Sequence, residues 1–267
     1  MSEIGRPLTV PALQAMKSRG EKIAALTAYD ACFASVMDAA GVDMILVGDS
    51  LGMVIQGHES TLPVTLEQVI YHAASVRRGA AGPLLVVDLP FMTYASIQQA
   101  QESAARLVRE AGAQMVKLEG GRHRVDVVRA LAVQDIPVCA HLGLLPQSIH
   151  RLGAYKVQGR DDRSAQRLLE EAILLQDAGA SLLVLECVPA LLANEITAAL
   201  AIPTIGIGAG PGCDGQVLVS YDMLGLTPRC PTFCRNFLEE AAGIGEAFSL
   251  YVRAVREQRF PASEHSY

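Results

Sequence analysis

Apolar and polar positions along this chain fall into a repeating unit: an Ala-Gly pair, a short apolar run, and a carboxylate that ends the run. Gly41 leads in this way to Asp49, Gly112 to Glu119 and Gly179 to Glu186, and a fourth run, Leu84-Leu85-Val86-Val87, stops at Asp88. Glycine tolerates the left-handed conformation at a helix end, so each Gly reads as a C-cap, and the run after it reads as a strand buried on both faces. In a parallel α/β fold the carboxyl ends of the strands gather at one rim, where sites are built. The repeat therefore predicts four acids at a single rim.

Eight runs qualify as strands: Ile23 to Thr27, Met44 to Gly48, Leu84 to Asp88, Met115 to Leu118, Val138 to Leu142, Leu182 to Leu185, Thr204 to Gly208 and Val217 to Ser220. Helical spacing appears between them, as in Leu66, Val69, Ile70, Ala73 and Val76, introduced by Thr65 with Gln68 as a capping box. Ser96 with Gln99 repeats that start signal before the helix that ends near Gly112. Strands alternating with helices eight times predict an α/β fold of the (β/α)8 TIM-barrel type. An open doubly wound sheet usually has fewer strands and a phosphate fingerprint after its first strand, and none follows here. Val10 to Ser18 is patterned to plug the amino-terminal end of the barrel. Phe233 to Arg256 is amphipathic and must bury its apolar face against the barrel or another subunit. The polar end, Pro261 to Tyr267, reads as a mobile tail or as a cover over a neighbouring site.

Two connections are longer than a barrel needs, Ser50 to Pro63 and Gly143 to Asp162, and both fall at the rim that carries the acids. Their Gln56-Gly57-His58 and Tyr155-Lys156-Val157-Gln158-Gly159-Arg160 have the composition of a lid or binding loop. The 267 residues, 51% of them hydrophobic, suit one domain over residues 1–267, because a barrel of this type takes about 250. A net charge of -6 without a basic run gives no footprint for nucleic acid or a membrane surface, so a small-molecule ligand is expected. Met1 to Arg19 lacks a secretory pattern and no apolar run spans a bilayer, which predicts a cytosolic protein. Cys32, Cys139, Cys187, Cys213, Cys230 and Cys234 show no CxxC spacing and read as reduced and structural. Cys187 adjoins a rim acid, yet buried packing is a better reading for it than a reactive thiol.

Asp49, Asp88 and Glu119 come from three strand ends, and converging carboxylates repel one another unless protonated or bridged by a cation. Oxygen ligands without a His or Cys pair select a hard octahedral ion, Mg2+ before Mn2+. The alternative, that each acid caps the next helix, suits one acid better than four in register. Lys117 and Glu119 lie two apart on one strand and share a face. A lysine in an apolar run needs a negative partner, and a contact to a substrate carboxylate or enolate ranks above a structural ion pair, and that above a Schiff base. Glu186 is either a base, with a pKa raised by an apolar setting, or a helix cap or ion-pair partner. His141 reads as a hydrogen-bonded support for its neighbours. Gly206-Ile207-Gly208-Ala209-Gly210 lies where barrels bind phosphate, but tight turns explain the glycines equally well.

The chain resembles the ketopantoate hydroxymethyltransferase (3-methyl-2-oxobutanoate hydroxymethyltransferase) family nearly end to end. The likeness is carried by Thr27-Ala28-Tyr29-Asp30, Val47-Gly48-Asp49-Ser50-Leu51-Gly52, Gln56-Gly57-His58, Thr61-Leu62-Pro63-Val64-Thr65, Asp88-Leu89-Pro90-Phe91 and Val116-Lys117-Leu118-Glu119-Gly120-Gly121. It continues through His141-Leu142-Gly143-Leu144, Tyr155 to Arg160, Leu185-Glu186-Cys187-Val188-Pro189 and Gly206 to Gly210. Leu145, Ala154, Thr232 and Cys234 depart from the family's usual pattern, and none is a matched catalytic position. The resemblance implies a barrel that binds one Mg2+ per subunit and takes a one-carbon unit from 5,10-methylenetetrahydrofolate to 3-methyl-2-oxobutanoate, forming ketopantoate for pantothenate synthesis through a Mg2+-stabilised enolate. It also implies homo-oligomers, commonly decamers. By motif, Asp49 and Asp88 match metal ligands that also meet the substrate, and Glu119 matches a metal-site acid that acts directly or through water. Ser50 and Lys117 match contacts to the keto acid, and Glu186 matches the catalytic base. The rival readings are a Mg2+-dependent lyase or mutase of the phosphoenolpyruvate mutase and isocitrate lyase type, whose KKCGH-type signature is absent here, and a barrel reduced to a binding scaffold, which predicts missing rim acids.

Overall fold

The eight apolar runs pair in sequence order and close into one parallel barrel in a computed structural model that describes residues 7–228 and 230–267. The first six residues, part of the stretch read above for a leader, lie outside the described residues, as does Arg229. Strands β1 (Ile23–Thr27), β2 (Met44–Val47), β3 (Leu84–Asp88) and β4 (Met115–Glu119) are followed by β5 (Val138–Gly143), β6 (Leu182–Glu186), β7 (Thr204–Ile207) and β8 (Gly215–Leu218). Almost every strand residue is buried, because helices cover the outer face while side chains from opposite strands fill the interior.

Strand ends depart from the sequence reading where chemistry sits. β4, β5 and β6 run one residue further than predicted, which places Glu119 and Glu186 inside the ladder. β8 is Gly215–Leu218 and not Val217 to Ser220. Gly215 pairs with Ile23, and a Cβ there would lie 2.4 Å from the Ile23 carbonyl oxygen, so glycine is needed for this close strand approach. Ser220 instead starts the short helix Ser220–Met223.

The helix signals hold in detail. Thr65 Oγ1 accepts from the Gln68 amide while Gln68 Oε1 accepts from the Thr65 amide, a complete capping box. At Ser96 only half forms, since the Gln99 side chain turns to Ala95 and Met92. The helix Val10–Arg19 closes the amino-terminal end, burying Leu13 and Met16 and pairing Lys17 with Asp214 at 2.8 Å. The stretch from Phe233 to Arg256 is not one helix: a 3-10 turn, Phe237–Glu240, precedes the helix Ile244–Arg256. That helix buries Phe248, Tyr251, Val252 and Val255 against its own barrel, and Arg256 reaches Asp43 at 2.9 Å. The Tyr251 hydroxyl lies 2.9 Å from both Ala25 O and Gln216 O, at the seam where β1 meets β8. The terminal residues fold onto the rim, with Ala190 N donating to Tyr267 O at 2.8 Å, so of the two readings of the tail the covering one is observed. Among the described residues, no helix is long and apolar enough to cross a membrane.

Tyr251→Phe removes the side-chain hydroxyl that bridges the barrel seam while keeping the ring. The unfolding free energy is expected to fall by about 1–2 kcal/mol, read as a lower midpoint in urea.

Candidate active site

Register decides which side chains meet. Asp88 lies opposite Lys117, Glu119 opposite His141, and Glu186 opposite Gly143. With side chains alternating along each strand, these groups and Asp49, two residues past β2, face one cavity of about 970 Å3 at the carboxyl end of the barrel. All four acids of the repeat are therefore brought together. None of them caps a helix, since the N-cap positions of the elements that follow are Ser50, Ser96, Gly121 and Pro189. Ser50 also faces the cavity and shares a 2.8 Å hydrogen bond with the Tyr29 hydroxyl.

Lys117 Nζ is 2.5 Å from Asp88 Oδ1, both side chains nearly inaccessible. Burial works against the ammonium, but Asp88, then Glu119 and Asp49, outweigh it and raise its pKa. The ion pair to Asp88, ranked second among the readings of Lys117, is the contact the geometry shows, and a lysine held so firmly protonated is a poor amine nucleophile. Asp88 Oδ2 accepts from the Asp49 amide at 3.1 Å. Burial, and then the charges of Asp88 and Glu119, push the Asp49 carboxyl well above its ordinary range.

His141 sits between two acids, its Nδ1 3.5 Å from Glu119 Oε1 and its Nε2 3.2 Å from Glu186 Oε2. These are ion-pair separations in which the ring N–H directions miss the oxygens, so neither nitrogen makes an aligned hydrogen bond. Burial, and next Lys117, push His141 down, yet the flanking Glu119 and Glu186 outweigh both and carry it up to about 9. Glu186 therefore faces an imidazolium and the open cavity, not the apolar setting expected from its sequence neighbours.

The donor set fits a divalent cation. Asp49, Asp88, Glu119 and Glu186 face only two cationic side chains, Lys117 and His141, so carboxyls outnumber the cations that could offset them. Asp49 Oδ2 and Glu119 Oε2 are each held by Gln147, at 2.9 and 3.0 Å, whereas Glu119 Oε1 is buried with no hydrogen bond. Among the described residues no three His, Cys, Asp or Glu side chains form a ready-made cage. Mg2+ does not need one, because it commonly takes one or two carboxylates and keeps several waters.

The sequence reading passed over Gln147 and Tyr94. Gln147 lies in the long loop after β5, but a lone glutamine carries no chemical signal. Farther along that loop Tyr155, Lys156 and Arg160 line the cavity mouth with Phe233 and Tyr267, as a binding loop predicts. From the loop after β2 it is Met53 and Thr61 that reach the cavity, while Gly57 and His58 are exposed. Gly208 has φ of 62°, and a Cβ there would lie 2.8 Å from the Phe233 ring, so this glycine serves packing at the rim. Cys187 has φ of 48°, a strained backbone next to Glu186. Burial, then Glu186, pushes its thiol up to about 12, which bears out the packing reading over a reactive one.

A family model described as ketopantoate hydroxymethyltransferase matches residues 7–263. The chain is 60% identical over 261 residues to the 3-methyl-2-oxobutanoate hydroxymethyltransferase of Methylococcus capsulatus, covering 98% of this chain and 97% of that one. It is 59% identical to the protein of the same name from Nitrosococcus oceani, covering 97% and 99%. Among solved structures, a phosphoenolpyruvate phosphomutase from Streptomyces platensis superposes with a TM-score of 0.62 over 96% of this chain and 100% of that one. At 15% identity that likeness concerns the fold alone.

Asp49→Asn takes one carboxylate out of the crowded floor. In EDTA the variant is expected to melt about 2–4 °C higher than the wild type by calorimetry; a lower melting temperature would contradict the charge crowding described above.

Proposed function

The chain belongs to the ketopantoate hydroxymethyltransferase family, and on that premise we propose that it transfers a one-carbon unit from 5,10-methylenetetrahydrofolate to 3-methyl-2-oxobutanoate, forming ketopantoate. One observation carries the reading: Asp49, Asp88 and Glu119 converge beside a protonated Lys117, with Glu186 across the same cavity and not bound to any of them.

Asp49 and Asp88 would hold Mg2+, with Glu119 joining directly or through water. When bound, the ion supplies Lewis-acid polarisation of the 2-oxo group and so acidifies C3. Lys117 and Ser50 bind and orient the keto acid, the ammonium meeting negative charge on the substrate. Glu186 takes the C3 proton. His141, charged at neutral pH and 3.2 Å from Glu186 Oε2, orients that carboxylate and links it to Glu119. C3 then bonds to the folate's methylene carbon, the carbon–nitrogen bonds that held it to the folate break, and one water supplies the product hydroxyl as tetrahydrofolate leaves carrying the displaced proton. At the mouth, Lys156 and Arg160 offer positive charge to an anionic folate, and the cavity has room for a second substrate. The proposal extends to self-association, a decamer by family resemblance.

The reading is tested by deuterium exchange at C3 of 3-methyl-2-oxobutanoate, followed by NMR without folate. Exchange is expected with Mg2+, to stop in EDTA, and to slow by about 10²–10⁴-fold in Glu186→Gln. Exchange that persists in EDTA would sink the metal reading. Sedimentation velocity checks the assembly, where a monomer at micromolar concentration would contradict self-association.

A further inference from the structure

We infer that Gln147 is the positioning residue of the carboxylate floor: it ties Asp49 and Glu119 by one oxygen each, so that the other oxygen of each is presented to a divalent cation. The inference rests on the metal reading above and adds a residue to it.

Gln147 is buried on the 3-10 turn Pro146–Ser148, just beyond β5. Its backbone amide donates to Glu119 Oε2 at 3.0 Å. Its side-chain Nε2 donates to Asp49 Oδ2 at 2.9 Å and to Leu89 O at 3.1 Å. Its Oε1 accepts from the Tyr94 hydroxyl at 2.5 Å. The amide orientation is fixed by chemistry, because the Leu89 carbonyl can only accept and so must face the NH2. Every polar atom of the side chain is thus engaged, and one residue bridges acids that come from separate strands.

The choice of an amide matters as much as its position. A lysine or arginine there would hold the same Asp49 oxygen but cancel charge that the cation is needed to cancel. Glutamine is neutral, so its side chain fixes the geometry of Asp49 and leaves the excess negative charge in place, while its backbone amide holds Glu119. Tyr94 completes the support: its hydroxyl donates to Gln147 and accepts from the Glu119 amide at 3.4 Å, which locks the glutamine to the strand that bears Glu119. Residues that orient metal-binding side chains in this manner typically contribute 10–100-fold to metal affinity.

The test is a Mn2+ titration of the cation-stripped full chain, with free Mn2+ read by electron paramagnetic resonance and no substrate present. Wild type, Gln147→Ala and Tyr94→Phe are compared, with circular dichroism and melting in EDTA as controls for folding. Gln147→Ala is expected to weaken Mn2+ binding by about 10–100-fold and Tyr94→Phe by a smaller factor, each with a native circular dichroism spectrum and a cooperative, if lower, melting transition in EDTA. C3 exchange by Gln147→Ala should recover at saturating metal, since the residue orients ligands and does not touch the reacting atoms. Unchanged Mn2+ affinity in folded Gln147→Ala overturns the inference while leaving the metal reading intact. If that variant fails to fold, unchanged affinity in Tyr94→Phe does the same. A wild type that takes up no Mn2+ overturns the metal reading and this inference with it.

Discussion

Unbalanced negative charge at the buried end of a barrel is the constraint around which this molecule is arranged. Carboxylates within contact distance of one another, out of bulk water, are stable only if cations or protons offset them. Lys117 answers Asp88 directly, and His141 is drawn up to the charged form between Glu119 and Glu186. What is left over falls on Asp49, whose carboxyl burial and the charges of Asp88 and Glu119 push well above its ordinary range.

The barrel makes this crowding sustainable. Closure through β1 and β8, with Tyr251 at the seam, leaves no strand edge to fray, so the floor cannot relax by spreading the acids apart. The unneutralised floor costs free energy, and the large apolar core beneath it offsets that cost. Covering elements divide the work: the helix Val10–Arg19 closes the end without chemistry, while the chain terminus and the loop after β5 shape the end that carries it.

That loop connects two levels of the site. Near its start Gln147 holds Asp49 and Glu119, and farther on Tyr155, Lys156 and Arg160 stand at the mouth. Groups that hold the floor and groups that line the mouth of the cavity therefore belong to one short stretch of chain.

Period and punctuation in the sequence determined most of the fold. Runs of Val, Leu and Ile set off by Gly and closed by an acid specify buried parallel strands, and strand ends of one sense necessarily share a rim, so Asp88, Glu119 and Glu186 were legible as neighbours before any coordinates. Lys117 and Glu119 were legible as co-facial by their spacing of two. The tertiary structure alone decided the rest, because it depended on contacts between residues far apart in the chain. Gln147 has no distinguishing pattern, and its role comes from meeting an aspartate 98 positions away. Gly215 lies outside the strand run read from the sequence, and strand approach shows why no Cβ fits there. The setting of Glu186, apolar by sequence neighbours but charged by spatial ones, came from His141 on the adjacent strand. Local pattern fixes which way a side chain points; only packing fixes what it meets there.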